Sequence, residues 1–124
     1  MAEGFARAYG TDVLIPQSAG LAPSLSIAPL THKVMLEKNI HLDAAFPKPF
    51  DTTLLRDCDL IVNMSGYKLP LDVAMQVEEW TVLDPIGESE DVYREVANHI
   101  EHLVMQLILK LRAQRPHRNP RRAG

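Results

Sequence analysis

The amino-acid sequence predicts an α/β domain, a small parallel sheet flanked by helices. Three observations carry that expectation. Short apolar runs at residues 13–15, 60–64 and 80–82 are bounded by Pro, Ser, Gly and Asp, the pattern of buried strands. Helical periodicity separates them, giving the order helix, strand, helix, helix, strand, strand, helix. The last element is a long amphipathic helix: Val92, Val96, Ile100, Leu103, Val104, Leu107, Ile108 and Leu111 recur at three- and four-residue intervals, about six turns from 90 to 112.

Each earlier element has its own local reason. Residues 1–9 are good helix formers with Met1, Phe5 and Ala8 on one face and no capping side chain ahead of them, so the first turn presents unpaired amides, a natural anion site. Gly10-Thr11 predicts a turn, Val13-Leu14-Ile15 a strand stopped by Pro16, and Ser18-Ala19-Gly20 a loop. A second helix runs from Pro29 or Leu30 to Lys38, with Pro in its first turn, Leu30, Val34 and Met35 on its apolar face and Asn39 as a left-handed cap. Residues 41–49 read as loop, and a short third helix begins at 50–55, capped by Asp51 or Thr52. Leu60-Ile61-Val62-Asn63-Met64 is a buried strand between Asp57-Cys58-Asp59 and Ser65-Gly66, and 67–75 is a loop with one helical turn broken at Pro70.

Length and composition bound the class. The 124 residues, 46% hydrophobic, suit one domain over 1–112. Residues 113–124 hold no apolar anchor and are expected to form a disordered basic tail. All 16 acidic residues precede Arg112, whereas arginines 112, 115, 118, 121 and 122 crowd the end. An acidic body argues against a nucleic-acid surface on the domain. The single cysteine, Cys58, excludes an internal disulfide and a multi-cysteine metal site, and suits a reducing cytosol. No apolar run nears the roughly 18 residues of a membrane span and no signal pattern opens the chain, so a cytoplasmic location is expected.

The stretch Trp80-Thr81-Val82-Leu83-Asp84-Pro85-Ile86-Gly87 organises the functional reading. It places Asp84 at the carboxyl end of a strand, held by the following proline. Beyond those strand ends lies the crevice where open α/β sheets bind ligands, so Asp84 is the candidate catalytic residue, a general acid. The other reading makes Asp84 a turn residue only.

Four separated pieces share one likeness: Met1-Ala2-Glu3-Gly4-Phe5-Ala6-Arg7, Ser18-Ala19-Gly20, Asp59-Leu60-Ile61-Val62-Asn63-Met64 and Asp84-Pro85. Together they resemble the low-molecular-weight protein tyrosine phosphatases and the similar thioredoxin-coupled arsenate reductases, through Leu111. Gly4-Phe5-Ala6-Arg7 and Asp84-Pro85-Ile86-Gly87 look closer to the reductase branch. The resemblance implies phosphate monoester hydrolysis through a cysteinyl-phosphate, with Asp84 protonating the leaving oxygen. It also implies a central first strand and a Cys-to-Arg loop just ahead of Met1. Lacking both, the chain is expected to be truncated and inactive, its sheet rearranged or completed by dimerisation. The alternatives are an arsenate reductase-like fragment and a degenerate, non-catalytic dimeric binding or regulatory protein. In the resemblance the first redox cysteine matches Ser65, and Ile86-Gly87 stand where phosphatases often carry tyrosines.

The other constellations read as ordinary structure. Cys58, at the amino end of a strand and opposite the crevice, reads as a structural thiol. Glu95, His99 and His102 read as a solvated helix face rather than a metal site, while Met105 and Leu109 beside them mark the edge of a possible subunit contact. His32 and His41 are assigned nothing. No cofactor and no metal are expected. The expected partners are a phosphorylated protein or a small oxyanion, if a fuller form exists, and a second copy of the chain; no membrane, and no nucleic acid beyond the tail.

Overall fold

A computed structural model of the chain describes residues 1–18, 28–42, 58–67 and 77–114. Five elements follow in order: α1 (Ala2–Tyr9), α2 (Pro29–Glu37), β1 (Ile61–Asn63), β2 (Val77–Glu79) and α3 (Glu90–Gln114). β1 and β2 pair in parallel, Ile61 opposite Val77 and Asn63 opposite Glu79. The arrangement is the expected α/β one.

The core is a helix layer. α1 and α2 both pack on α3, and Phe5, Met35, Val34 and Ile108 are its most fully enclosed side chains. Tyr93, Val96, Ala97, Ile100, Val104 and Leu107 supply the rest of the α3 stripe. Trp80 closes the core from the end of β2, and Leu60, Val62 and Met64 pack against it from β1 and its flanks.

Local chemistry sets the helix ends. Ser89 caps α3, its carbonyl accepting from the Tyr93 amide at 3.1 Å and its Oγ from the Val92 amide at 3.4 Å. α2 starts on Pro29 and is stopped two residues past Glu37 by Asn39, whose φ of 63° is the left-handed conformation expected of it. α1 has no side-chain cap and ends at Gly10. A Cβ there would stand 2.8 Å from Ile108 Cδ1, so only glycine lets α1 lie this close to α3.

Three expectations are corrected. Val13-Leu14-Ile15 is not a strand: the Gly10 carbonyl accepts from the Val13 and Leu14 amides at 3.0 and 2.8 Å, which turns the chain, and Ile15 is 94% exposed. A strand exists only beside a neighbour, and none of the described residues pairs with this one. The last strand lies earlier than 80–82. The Trp80 amide makes the final ladder bond, to the Asn63 carbonyl at 2.9 Å, and beyond Asn63 the first strand ends, so among the described residues Thr81 and Val82 have no strand partner. Met105 packs against the core, while Leu109 is exposed as expected.

α3 also runs to Gln114, two residues into the expected tail. The helix expected at 50–55, all but Tyr67 of the loop expected at 67–75, and residues 115–124 lie outside the described residues.

Candidate functional site

The carboxyl ends of β1 and β2 and the first turn of α1 open on one cleft of about 1370 Å³. Its polar rim comes from Glu3 and Arg7 of α1, Ser65 and Tyr67 after β1 and Asp84 after β2, and its apolar floor includes Ile40 and Leu42 after α2, Trp80, and Val96 and Ile100 of α3. It lies where a parallel sheet binds ligands.

Asp84 stands on this cleft, exposed to it. Its Oδ1 accepts from the Ile86 amide at 3.1 Å, an Asx turn that fixes the carboxyl group. Among the described residues Oδ2 has no partner, so one oxygen is held and the other is presented. Gly87, with φ 82°, completes the turn.

The α1 end supplies the opposite polarity. The amides of the first helical turn have no intrahelical acceptor, no side chain caps them, and the helix dipole places partial positive charge there. Glu3 is drawn aside: Arg7 Nε donates to its Oε2 at 3.1 Å and Ser18 Oγ to its Oε1 at 2.7 Å. Arg7 Nη2 also donates to the Pro16 carbonyl at 3.1 Å, tying the segment after α1 back onto the helix.

The wall after β1 is built by Asn63, which the sequence reading passed over. Its Nδ2 donates to the Tyr67 carbonyl at 2.6 Å, and its Oδ1 accepts from the Ser65 amide at 3.1 Å and from Ser65 Oγ at 2.7 Å. Gly66, with φ 78°, makes the turn between them. An asparagine closing an otherwise apolar run, two residues before a serine, is the signal that could have found it.

Cys58 lies at the other end of the sheet. It is half-buried, precedes β1 and does not line the cleft. The length of β1 and its approach, at about 3.3 Å per residue, separates it from the cleft by well over one strand's rise. Glu95, His99 and His102 are exposed, and among the described residues no group of His, Cys, Asp and Glu could hold a metal ion. No described helix is long and apolar enough to cross a membrane.

A parallel sheet whose carboxyl edge meets a helix amino terminus and a fixed carboxylate defines an α/β domain with its ligand cleft at that edge. Comparison gives the particular family. Residues 1–117 match the low molecular weight phosphotyrosine protein phosphatase family, and the chain belongs to it. It is similar to a glutaredoxin arsenate reductase of Synechocystis sp., 30% identical over 115 residues that cover 90% of this chain and 87% of that one. Among solved structures it resembles an arsenate reductase in the phosphate binding state, with TM-score 0.79 and 30% identity over 89% of this chain and 86% of the other. The arsenate reductase of Archaeoglobus fulgidus is also similar, with TM-score 0.74 and 26% identity over 86% of each chain.

Proposed function

We propose that this chain is an arsenate reductase-type member of its family, whose cleft takes a tetrahedral oxyanion with Asp84 as proton donor. The carrying observation is the meeting of Asp84 and the uncapped first turn of α1 on one cleft. Backbone amides with partial positive charge suit an oxyanion, and a carboxyl group pinned through Oδ1 offers Oδ2 to a departing oxygen. The names of the similar proteins favour arsenate over an aryl phosphate. So do Ile86 and Gly87, which give an aryl group no aromatic surface after Asp84-Pro85.

The chemistry needs a thiolate. Its attack on arsenic or phosphorus expels one oxygen, and that oxygen takes the Asp84 proton and leaves as water or as an alcohol. The one thiol of this sequence, Cys58, is outside the cleft, so the chain by itself binds the anion without turning it over.

An assay of arsenite formation from arsenate under excess dithiol, with aryl phosphate hydrolysis beside it, tests the reading in the chain, in Asp84→Asn and in Cys58→Ser. All three are expected to be inactive, with arsenate binding retained in each. Turnover abolished by Cys58→Ser would overturn it.

A further inference from the structure

We infer that Asn63 is the positioning residue of this cleft: its carboxamide holds the wall formed by residues 65–67 in the shape that a ligand meets. The inference rests on the oxyanion reading of the cleft and adds to it a residue that the cleft itself hides.

Asn63 is 3% exposed and is the one buried polar residue of the described core. It does not line the cleft, yet Ser65, Gly66 and Tyr67 all do. Its orientation is forced. The Tyr67 carbonyl can only accept and the Ser65 amide can only donate, so Nδ2 must face the first, at 2.6 Å, and Oδ1 the second, at 3.1 Å. Ser65 Oγ then bridges, donating to Oδ1 at 2.7 Å and accepting from the Tyr67 amide at 3.1 Å. The serine hydroxyl is thereby committed to the wall.

Tyr67, 73% exposed, gains no shape from packing. Its place at the mouth comes from these bonds. The Asn63 carbonyl separately accepts from the Trp80 amide, at 2.9 Å, and that bond survives any change of side chain.

Stability alone gives little reason for a carboxamide here. Where a buried strand ends, an apolar residue is nearly neutral when the groups it abandons can reach water, and Ser65, Gly66 and Tyr67 are exposed. Specification of one loop shape is what the polar group adds.

The test uses the full chain, Asn63→Val and Asn63→Asp. Valine removes both halves of the carboxamide; aspartate keeps the acceptor for Ser65 and loses the donor for Tyr67. Three quantities are read: amide hydrogen exchange by residue, the melting temperature, and the dissociation constant for inorganic phosphate.

The valine variant is expected to speed exchange at Ser65 about tenfold, since its amide loses its acceptor, and at Tyr67 by less, since its amide keeps Ser65 Oγ but that hydroxyl loses its anchor on Asn63. The aspartate variant speeds Tyr67 more than Ser65. Exchange at Ile86 and along α3 stays unchanged, the valine variant melts within a few degrees of the parent, and phosphate affinity falls several-fold in both. Unchanged exchange at Ser65 and Tyr67 would overturn the inference, as would a freed loop with undiminished phosphate affinity. A parent chain that binds no phosphate brings down the oxyanion reading instead. Asn63 is then judged on exchange alone: acceleration confined to residues 65–67 supports its hold on the wall, and unchanged or chain-wide acceleration refutes it.

Discussion

The Tyr9 hydroxyl donates to Glu101 Oε2 at 2.9 Å, across 92 positions of sequence, and joins the end of α1 to the middle of α3. Lys38 Nζ donates to the other carboxylate oxygen at 2.8 Å, so one half-buried glutamate gathers all three helices behind the cleft. Burial pushes the Glu101 carboxyl up, but the bonds from Lys38 and Tyr9 outweigh it and hold it below its ordinary value. Tyr9 is raised, first by burial and then by its bond to Glu101.

These directions fix a two-sided pH dependence. A depressed carboxyl contributes stability above its unfolded pKa of about 4.5 and loses it as pH falls below that. A raised tyrosine contributes below its unfolded pKa of about 10 and loses it as pH climbs through the higher folded value. Urea midpoints are expected to be flat near neutrality and to fall below about 4.5 and above about 10. Glu101→Gln should lower the neutral plateau and flatten part of the acid fall. Among the described residues Glu37, held down by its bond from Arg94, and Glu90, held down by bonds from Lys33 and Arg94, add to that fall. A variant with the parent's full acid slope would remove Glu101 from the account.

Gly10→Ala is expected to destabilise the fold by about 1–3 kcal/mol, the usual range for overpacking. The added carbon would stand 2.8 Å from Ile108 Cγ1 and Cδ1, and Ile108 is fully enclosed. Chemical denaturation measures it. If Gly10→Ala costs as much in an Ile108→Ala background, where both Cγ1 and Cδ1 are gone, the contact is not its cause.

Arg112 belongs to the folded body rather than to the tail. Its Nε and Nη2 donate to Asp12 Oδ2 and Oδ1 at 2.8 and 2.9 Å, and Nη2 donates again to the Tyr9 carbonyl at 2.9 Å. Arg112→Lys cannot repeat this fork. It is expected to lose about 1 kcal/mol in urea unfolding, whereas charge removal at Arg118 or Arg121 should leave the midpoint in place.

How much of this was legible in the sequence depends on how local each signal is. α3 was readable because its apolar spacing is its own, and Asn39 because a left-handed cap needs only the residue itself. Asp84 lines the cleft but stands five residues past the end of β2, because proline and glycine punctuate the chain beside it while the strand end is set by its partner. The region 13–15 was misread as a strand, since pairing is decided by a neighbour that local apolarity does not reveal. β2 fell three residues early for the same reason: Asn63 ends the partner strand. Asn63 and Glu101 were missed because their meaning lies in contacts, one with a loop two to four residues on and the other with residues on two other helices.

The central claim, that the cleft takes a tetrahedral oxyanion, is tested most directly by titrating the isotope-labelled chain with arsenate while watching backbone amide resonances. The expected result is saturable shifts at Ala2, Glu3 and Gly4 and in residues 84–86, displaced by phosphate. Shifts confined to the arginines beyond residue 114, or no saturable shift at the first turn of α1, would contradict it.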